Sequence, residues 1–273
     1  MCCESVNLAF FRRKPGKCNE ISIYPLQWQT KSYMKQICMI ILLALSIPSI
    51  AQWPWEKVEG NGQLKKETRQ VSNYTSIASS GSWDVMIAYG ESNSIQVEGD
   101  ANLLSYIETK VEDGKLSIKT TKNVSLRSSN KITIYVSATR LTGVSLSGSG
   151  DIIGKGNFFN DGNGSFKLSG SGTINLAFGK YKSVDVSISG SGNIHLSGAS
   201  DEVSARISGS GNADCSGVIA NQVSASISGS GNVKVFANTS LEANISGSGN
   251  VYYQGAATDI RSHKAGSGKV TRS

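Results

Sequence analysis

The chain has 273 residues, with 30 Gly, only 4 Pro, 38% apolar, 17% charged and 7% aromatic side chains. That apolar share is too high for a Gly-rich disordered tract or a collagen, and the Gly-Ser-Val-Ile-Thr mixture favours strands and turns over a multi-helix fold. The net charge of +7 shrinks once the N-terminus is set aside: residues 1–51 hold 6 Lys/Arg and 2 Asp/Glu, leaving 21 and 18, a balance of +3. There is no basic stripe interleaved with aromatics, so nucleic acid is not expected as a partner.

In chain order, the first feature is a targeting segment at residues 34–51. Lys35 precedes an apolar run from Ile37 to Leu45, and Ser49-Ile50-Ala51 supplies a small-x-small cleavage site before Gln52. The run is broken by Pro48 and falls short of the roughly 20 residues that span a bilayer, so the segment reads as a cleaved secretory signal, with no membrane span afterwards. Met34 then reads as the true start, with residues 1–33 arising from an upstream start codon. Cys2, Cys3, Cys18 and Cys38 precede the cleavage site, which leaves Cys215 alone in the mature chain and no intrachain disulfide. Trp53 and Trp55 could anchor a partner or simply pack locally. Residues 52–72 read as a polar linker.

From residue 73 the chain reads as one all-β domain. Strands are expected at Val85 to Tyr89, Ser94 to Glu98, Ile107 to Val111, Lys115 to Thr120 and Ile132 to Ser137, with turns at Gly90, Gly99 and Gly114. Ala101 to Ser105 reads as a short helical turn. Ser80-Gly81-Ser82-Trp83-Asp84 looks like a degenerate first copy of the turn that repeats from Gly148 onward.

That Gly-x-Gly turn recurs at Gly148/Gly150, Gly170/Gly172, Gly190/Gly192, Gly209/Gly211, Gly229/Gly231, Gly247/Gly249 and Gly266/Gly268. The first glycines lie 22, 20, 19, 20, 18 and 19 residues apart, a period that means a solenoid. Apolar residues alternate on both flanks, as in Val184, Val186, Ile188 before one turn and Ile194, Leu196 after it, so each period holds two short strands. A second turn falls near Gly198, Gly217 or Gly255. Stacked in register, these coils make a parallel β-helix of two facing sheets, about 20 residues per coil, with seven rungs spanning about 30 Å at a spacing of roughly 4.8 Å. Glycine is expected throughout the turn to supply positive φ and to let identical turns stack without side-chain collision. Lys264 falls in the slot of Ile188, Ile207, Ile227 and Ile245, as suits a terminal rung that must resist edge growth, and the chain is expected to end with the solenoid.

The stretch from Tyr74 to Val270 resembles the head GIN domain family of auto-transporter adhesins, secreted proteins of Bacteroidetes. The resemblance rests on Gly99-Asp100-Ala101-Asn102-Leu103-Leu104, Gly114-Lys115-Leu116-Ser117-Ile118, and Leu141 through Leu146 leading into the Gly-Ser-Gly-Asp/Asn series. It implies a right-handed, pectin-lyase-like β-helix with the Gly-Ser-Gly motifs at tight turns between two sheets. It also implies a role in cell adhesion, no transferable catalytic residues, and a place in the periplasm, on the outer-membrane surface or outside a Gram-negative cell.

Candidate sites follow from the register. The column after the turns, Asp151, Thr173, Asn193, Asn212, Asn232, Asn250 and Lys269, is reminiscent of calcium-binding β-rolls. Those need a carboxylate in every repeat, and a column of mostly Asn suits amide stacking better. Asn175, His195, Asp214, Lys234 and Tyr252 form an outward column in which His195 and Asp214 lie one rung apart, yet no nucleophile with an orienting group accompanies them. The acids Asp151, Asp161, Asp185, Asp201, Glu202, Asp214, Glu242 and Asp259 are spread over different columns, which does not suit lyase or hydrolase chemistry. Cys215 sits in an inward slot as a small core residue. A weakly charged column of Ser145, Lys167, Ser187, Arg206, Ser226 and Asn244 could meet glycans or another copy of the chain, or only water. The expected function is thus an adhesin-like binding module with no catalytic residue, metal or cofactor, meeting a host or bacterial surface glycan or protein. A β-helical polysaccharide lyase or hydrolase and a purely structural homo-oligomer are the alternatives.

Overall fold

The structure, a computed structural model, describes residues 56–90, 94–156, 158 and 160–273. The leader, the targeting segment, Trp53, Trp55 and the Asp161 side chain lie outside that description. A chain that alternates apolar and polar residues and turns on glycine every 20 or so can bury its apolar side only by stacking strand on strand.

The N-terminal region supplies β1 (Glu56–Glu59), β2 (Leu64–Gln70), β3 (Ser76–Gly81), β4 (Asp84–Tyr89) and β5 (Ser94–Asp100). A 3₁₀ turn at Leu104–Tyr106 leads to β6 (Ile107–Glu112), β7 (Lys115–Thr120), β8 (Val124–Arg127) and β9 (Thr133–Ala138). The repeats supply β10 (Gly143–Gly148), β11 (Asp151–Lys155), β12 (Asn160–Gly170), β13 (Thr173–Gly190) and β14 (Asn193–Gly209). They continue with β15 (Asn212–Gly229), β16 (Asn232–Gly247), β17 (Asn250–Gln254), β18 (Asp259–Ala265) and β19 (Lys269–Arg272).

Two parallel faces result. Face A stacks β7, β3, β10, β12, the second halves of β13 to β16, and β18. Face B stacks β9, β4, β11, the first halves of β13 to β16, β17 and β19. The molecule is a two-faced β-solenoid with a repeat of about 20 residues.

Four features depart from the sequence reading. The supposed linker is structured where it is described: β2 pairs antiparallel with β5, and β1 pairs with β8. Its partner carries the buried Ile95 and Val97, so β2 contributes mainly backbone pairing and shows no apolar period. Arg69 ties it down by donating to the Leu104 and Ile107 carbonyls. Second, the corner opposite the Gly-Ser-Gly turn does not end the strands. The ladder runs on through β13 to β16, and shifts register between Ala177 and Lys180, His195 and Ser197, Cys215 and Ile219, and Ala220 and Gln222. Third, the stack is not built in chain order. The β3–β4 rung lies between the β7–β9 rung and the β10–β11 rung, while β6 and β5 cover the outer edges of β7 and β9 with antiparallel pairing.

The fourth correction concerns the turns, whose two glycines are not equivalent. The first of each pair, Gly148, Gly170, Gly190, Gly209, Gly229, Gly247 and Gly266, takes a φ between 123° and 136°, a region nearly reserved for glycine that costs an L side chain about 1–3 kcal/mol. The second, Gly150, Gly172, Gly192, Gly211, Gly231, Gly249 and Gly268, does not take the positive φ expected of it. These seven are buried, and contact explains why they are glycine. A Cβ placed on any of them would come within 1.9–2.4 Å of a carbonyl oxygen one rung below.

The degenerate motif at Ser80 to Asp84 is a true rung: Gly81 pairs with Gly148. Where later rungs have a second glycine this one has Trp83, whose indole folds over Gly81 and donates Nε1–H to Ser79 Oγ at 2.9 Å. Ser79 stands in the inward column of Leu146, Leu168 and Ile188, so the indole fills the space its small side chain leaves. Higher in the stack Phe166, Phe178 and Tyr181 meet ring to ring and fill the widest part. The inward column of Phe166 and Val186 then carries only Ala205, Ala225 and Ala243, while the columns beside it keep Val203, Val223 and Leu241 and Ile207, Ile227 and Ile245. In β18 Lys264 follows Ile245, and the whole strand is exposed.

Substitution separates the two demands on the turns. For Gly211→Ala the obstructing atom is Gly192 O at 2.4 Å, and relieving it would break the neighbouring Asn212 N–H bond to the same oxygen. Overpacking and lost bonding together should cost about 3 kcal/mol, a fall of about 6–12 °C in melting temperature for a domain of this size. Gly62→Ala, where φ is +72° but nothing lies within 4 Å, should fall by much less. Equal losses in thermal unfolding of the two variants would show that the rung contact at Gly211 costs no more than a positive φ in open space, against the contact reading.

Candidate functional site

With the interior filled, chemistry can reside only on the outer faces, the corners and the ends. In-register stacking turns each outward sequence position into a straight column with one side chain per rung, about 4.8 Å apart.

The column after the turns is an amide ladder. Asn212 Nδ2 donates to Asn193 Oδ1, Asn232 Nδ2 to Asn212 Oδ1 and Asn250 Nδ2 to Asn232 Oδ1, each at 3.0 Å. The Lys269 N–H ends the series on Asn250 Oδ1 at 3.2 Å. Each Asn oxygen of the ladder accepts from the next rung, and among the described residues no three His, Cys, Asp or Glu side chains are grouped to hold a metal ion.

Two positions further along face B, the pairing places Asn175, His195, Asp214, Lys234 and Tyr252 in single file. Asp214 Oδ1 accepts from the Ser216 N–H at 3.1 Å and the Ser216 hydroxyl at 2.6 Å, which fixes the carboxylate. Its Oδ2 lies 4.0 Å from His195 Nδ1, too far for a hydrogen bond, and so stays open to a ligand. Its members His195, Asp214, Lys234 and Tyr252 floor a trough of about 890 Å³, lined also by the amide ladder and by Ser216, Gln254 and Ser273. The sequence supplied the file itself; Gln254 and Ser273 were missed, because their approach depends on the bend at Gly255 and on the path of the chain after β19.

Face A carries a second trough, of about 270 Å³, at the corner where β13 to β16 enter that face. It gathers Asp185, Glu202, Glu242 and Asp259 along with Ser204, Gln222 and Ser224. The sequence reading had these acids dispersed, and the structure corrects it: different columns meet at one corner. Most are occupied, Asp185 by Arg206 at 3.4 Å, Asp259 by Arg261 at 3.0 Å and Glu242 by the Asn244 amide at 3.1 Å. The Asp201 carboxylate pairs with Lys180 and lies outside the residues lining this trough.

The face B file continues past Asn175 to Ile153, Met86 and Tyr135, where it turns apolar. This extension escaped the sequence because β4 and β9 join the stack out of chain order. Tyr135 is pinned, its hydroxyl donating to Glu98 at 3.1 Å and its ring lying under Lys66. Elsewhere Asp100 is a structural clamp. Burial raises its pKa, but the N–H groups of Asn130, Ser129 and Gly62 and the Asn130 amide outweigh burial and hold it below the ordinary value. Burial and the Asp214 charge push the Cys215 thiol up to about 12, so it is an inert core group. No helix among the described residues is long and apolar enough to cross a membrane.

A parallel two-faced solenoid that closes its repeat coils on Gly-Ser-Gly and displays polar columns defines a class of scaffold. The chain belongs to the head GIN domain family: the family described as "Putative auto-transporter adhesin, head GIN domain" matches residues 73–257. A solved structure titled "putative lipid binding protein" from Parabacteroides distasonis is similar, with 25% identity and a TM-score of 0.65 over 80% of this chain and 100% of the other. A "putative adhesin" from Bacteroides fragilis aligns with 22% identity and a TM-score of 0.68 over 79% and 100%. Another from Parabacteroides merdae aligns with 24% identity and a TM-score of 0.63 over 80% and 99%. The latter two share the fold. A search of curated proteins finds no match.

The amide ladder makes a pH-dependent prediction. Asn212→Ala removes two amide bonds and should cost about 2 kcal/mol in denaturant unfolding. Asn212→Asp at neutral pH places an acceptor-only carboxylate against Asn193 Oδ1; protonation restores a donor, so folding raises the pKa of the new group. Its deficit against the parent should therefore be full at pH 7, shrink as pH falls through the raised pKa of the folded state, and be smallest below the ordinary Asp value of about 3.9. A deficit that stays constant from pH 7 to pH 3 would show that the ladder bonds contribute nothing.

Proposed function

We propose that this protein is a secreted, surface-located binding module, a non-catalytic adhesin that meets its partner on the outer faces of a rigid solenoid. The observation that carries the reading is the register itself, which lines outward side chains into straight polar columns along both faces. Repeated weak contacts spaced at one rung suit an extended or repetitive partner such as a surface glycan, whose many hydroxyls both donate and accept. Family membership supports adhesion, and the titles of similar structures name binding, whether adhesin or lipid binding, and no reaction. The targeting segment at residues 34–51 supports export, to the periplasm, the outer-membrane surface or the exterior of a Gram-negative cell. A rigid display surface needs no cofactor.

The test is binding of the purified mature chain to whole bacterial and host epithelial cells and to an immobilised glycan panel. Saturable binding to a cell surface or glycan is expected, with no change in the glycans by mass spectrometry. Background binding on every surface, or turnover of any polysaccharide, would contradict the reading.

A further inference from the structure

We propose that the face B trough is an oligosaccharide-binding site, with Tyr252 as the stacking platform and Asp214, Lys234 and His195 as the polar contacts. The proposal rests on the surface-binding reading and names its ligand class and its site.

Size separates the two troughs. Ligand sites occupy roughly 300–1,000 Å³; the face B trough, at about 890 Å³, falls inside that range and the face A trough, at about 270 Å³, falls below it. Chemistry points the same way. A pyranose offers hydroxyls that each donate and accept, and one apolar C–H face. It needs a fixed acceptor, a donor and an aromatic surface side by side. Asp214 Oδ2 is the acceptor, held in place through the other oxygen by Ser216. Lys234, one rung on, has no carboxylate within 4.0 Å among the described residues, which leaves its ammonium free as a donor beside Asp214. Tyr252 follows on the next rung, partly exposed, with no other ring against it among the described residues. His195 completes the file at the opposite end. The advance per rung is close to the length of one pyranose unit in an extended chain, so successive sugars can meet successive rungs. One anionic and one cationic contact within the same trough suit a neutral or N-acetylated sugar and disfavour a polyanion, which Asp214 would repel.

The test titrates cellotetraose, maltotetraose and chitotetraose into the full mature chain by calorimetry and saturation-transfer NMR, beside cell binding. At least one should bind, with Tyr252→Ala and Asp214→Asn each weakening it about tenfold or more. Glu202→Gln in the other trough should bind like the parent, and the melting temperatures of all three variants should match the parent. Sugar binding that survives Tyr252→Ala and Asp214→Asn overturns the site and leaves the surface-binding reading intact. Cell binding with no affinity for any of the sugars overturns the ligand class alone. Concentration-dependent dimers abolished by Tyr252→Ala would assign the trough to a second copy and overturn the proposal. Loss of both cell and sugar binding in the parent would overturn the proposal and the surface-binding reading together.

Discussion

Everything in this molecule depends on one contact: the Cα of a turn glycine lying over the carbonyl oxygen of the residue one rung below, too close for any side chain to intervene. Because the turn repeats with the same shape, each rung starts in the same place and the parallel ladders on both faces inherit the same register. Slipping by one residue would invert every strand, placing Ser187 or Ser226 inside and Ile188 or Ile227 in water. The glycines are thus devices of rigidity, each removing the side chain that would hold two rungs apart.

That rigidity connects fold to function. A column of side chains is a binding surface only if its members keep their spacing, and here the spacing is set by the backbone ladder and reinforced by the Asn193 to Asn250 amide ladder at the edge of the face B trough. The floor of that trough is assembled from four separate coils, none of which could place two of its residues alone. Its chemistry is spread across the repeats while its scaffold is uniform. The outward positions are free to vary in each coil because the inward and turn positions carry the stability.

Much of this was legible in the sequence, for a local reason. The period-2 alternation of Val184, Val186 and Ile188 and the regular return of Gly-Ser-Gly are local signals, and stacking converts local repetition into global architecture. The columns led by Asn193 and His195 could be written down from glycine spacing alone. What was not legible depends on non-local partners. Gly190 and Gly192 look alike in the sequence, and only the rung below shows that Gly190 answers to φ as well as contact and Gly192 to contact alone. β2 has no apolar period because β5 supplies the buried side of the pair. The placement of β3–β4 between β7–β9 and β10–β11 leaves no trace in either segment's own pattern. The gathering of Asp185, Glu202 and Glu242 at one corner, and the depth of the face B trough, follow from how the ladder bends between Ala177 and Lys180 and at the equivalent corners, which residue spacing does not encode.

The central claim is that stacked register places residues from successive coils side by side, and cysteine cross-linking across two rungs reads it directly. Ser226 and Asn244 are paired on adjacent rungs of face A, at a separation of about 4.8 Å that a disulfide accommodates. In a Cys215→Ser background, the Ser226→Cys, Asn244→Cys variant should close its disulfide on mild oxidation. The Ser226→Cys, Glu242→Cys variant, displaced by two residues along the same face, should keep both thiols free. Closure of the displaced pair with the aligned pair left open would contradict the register and every column built on it.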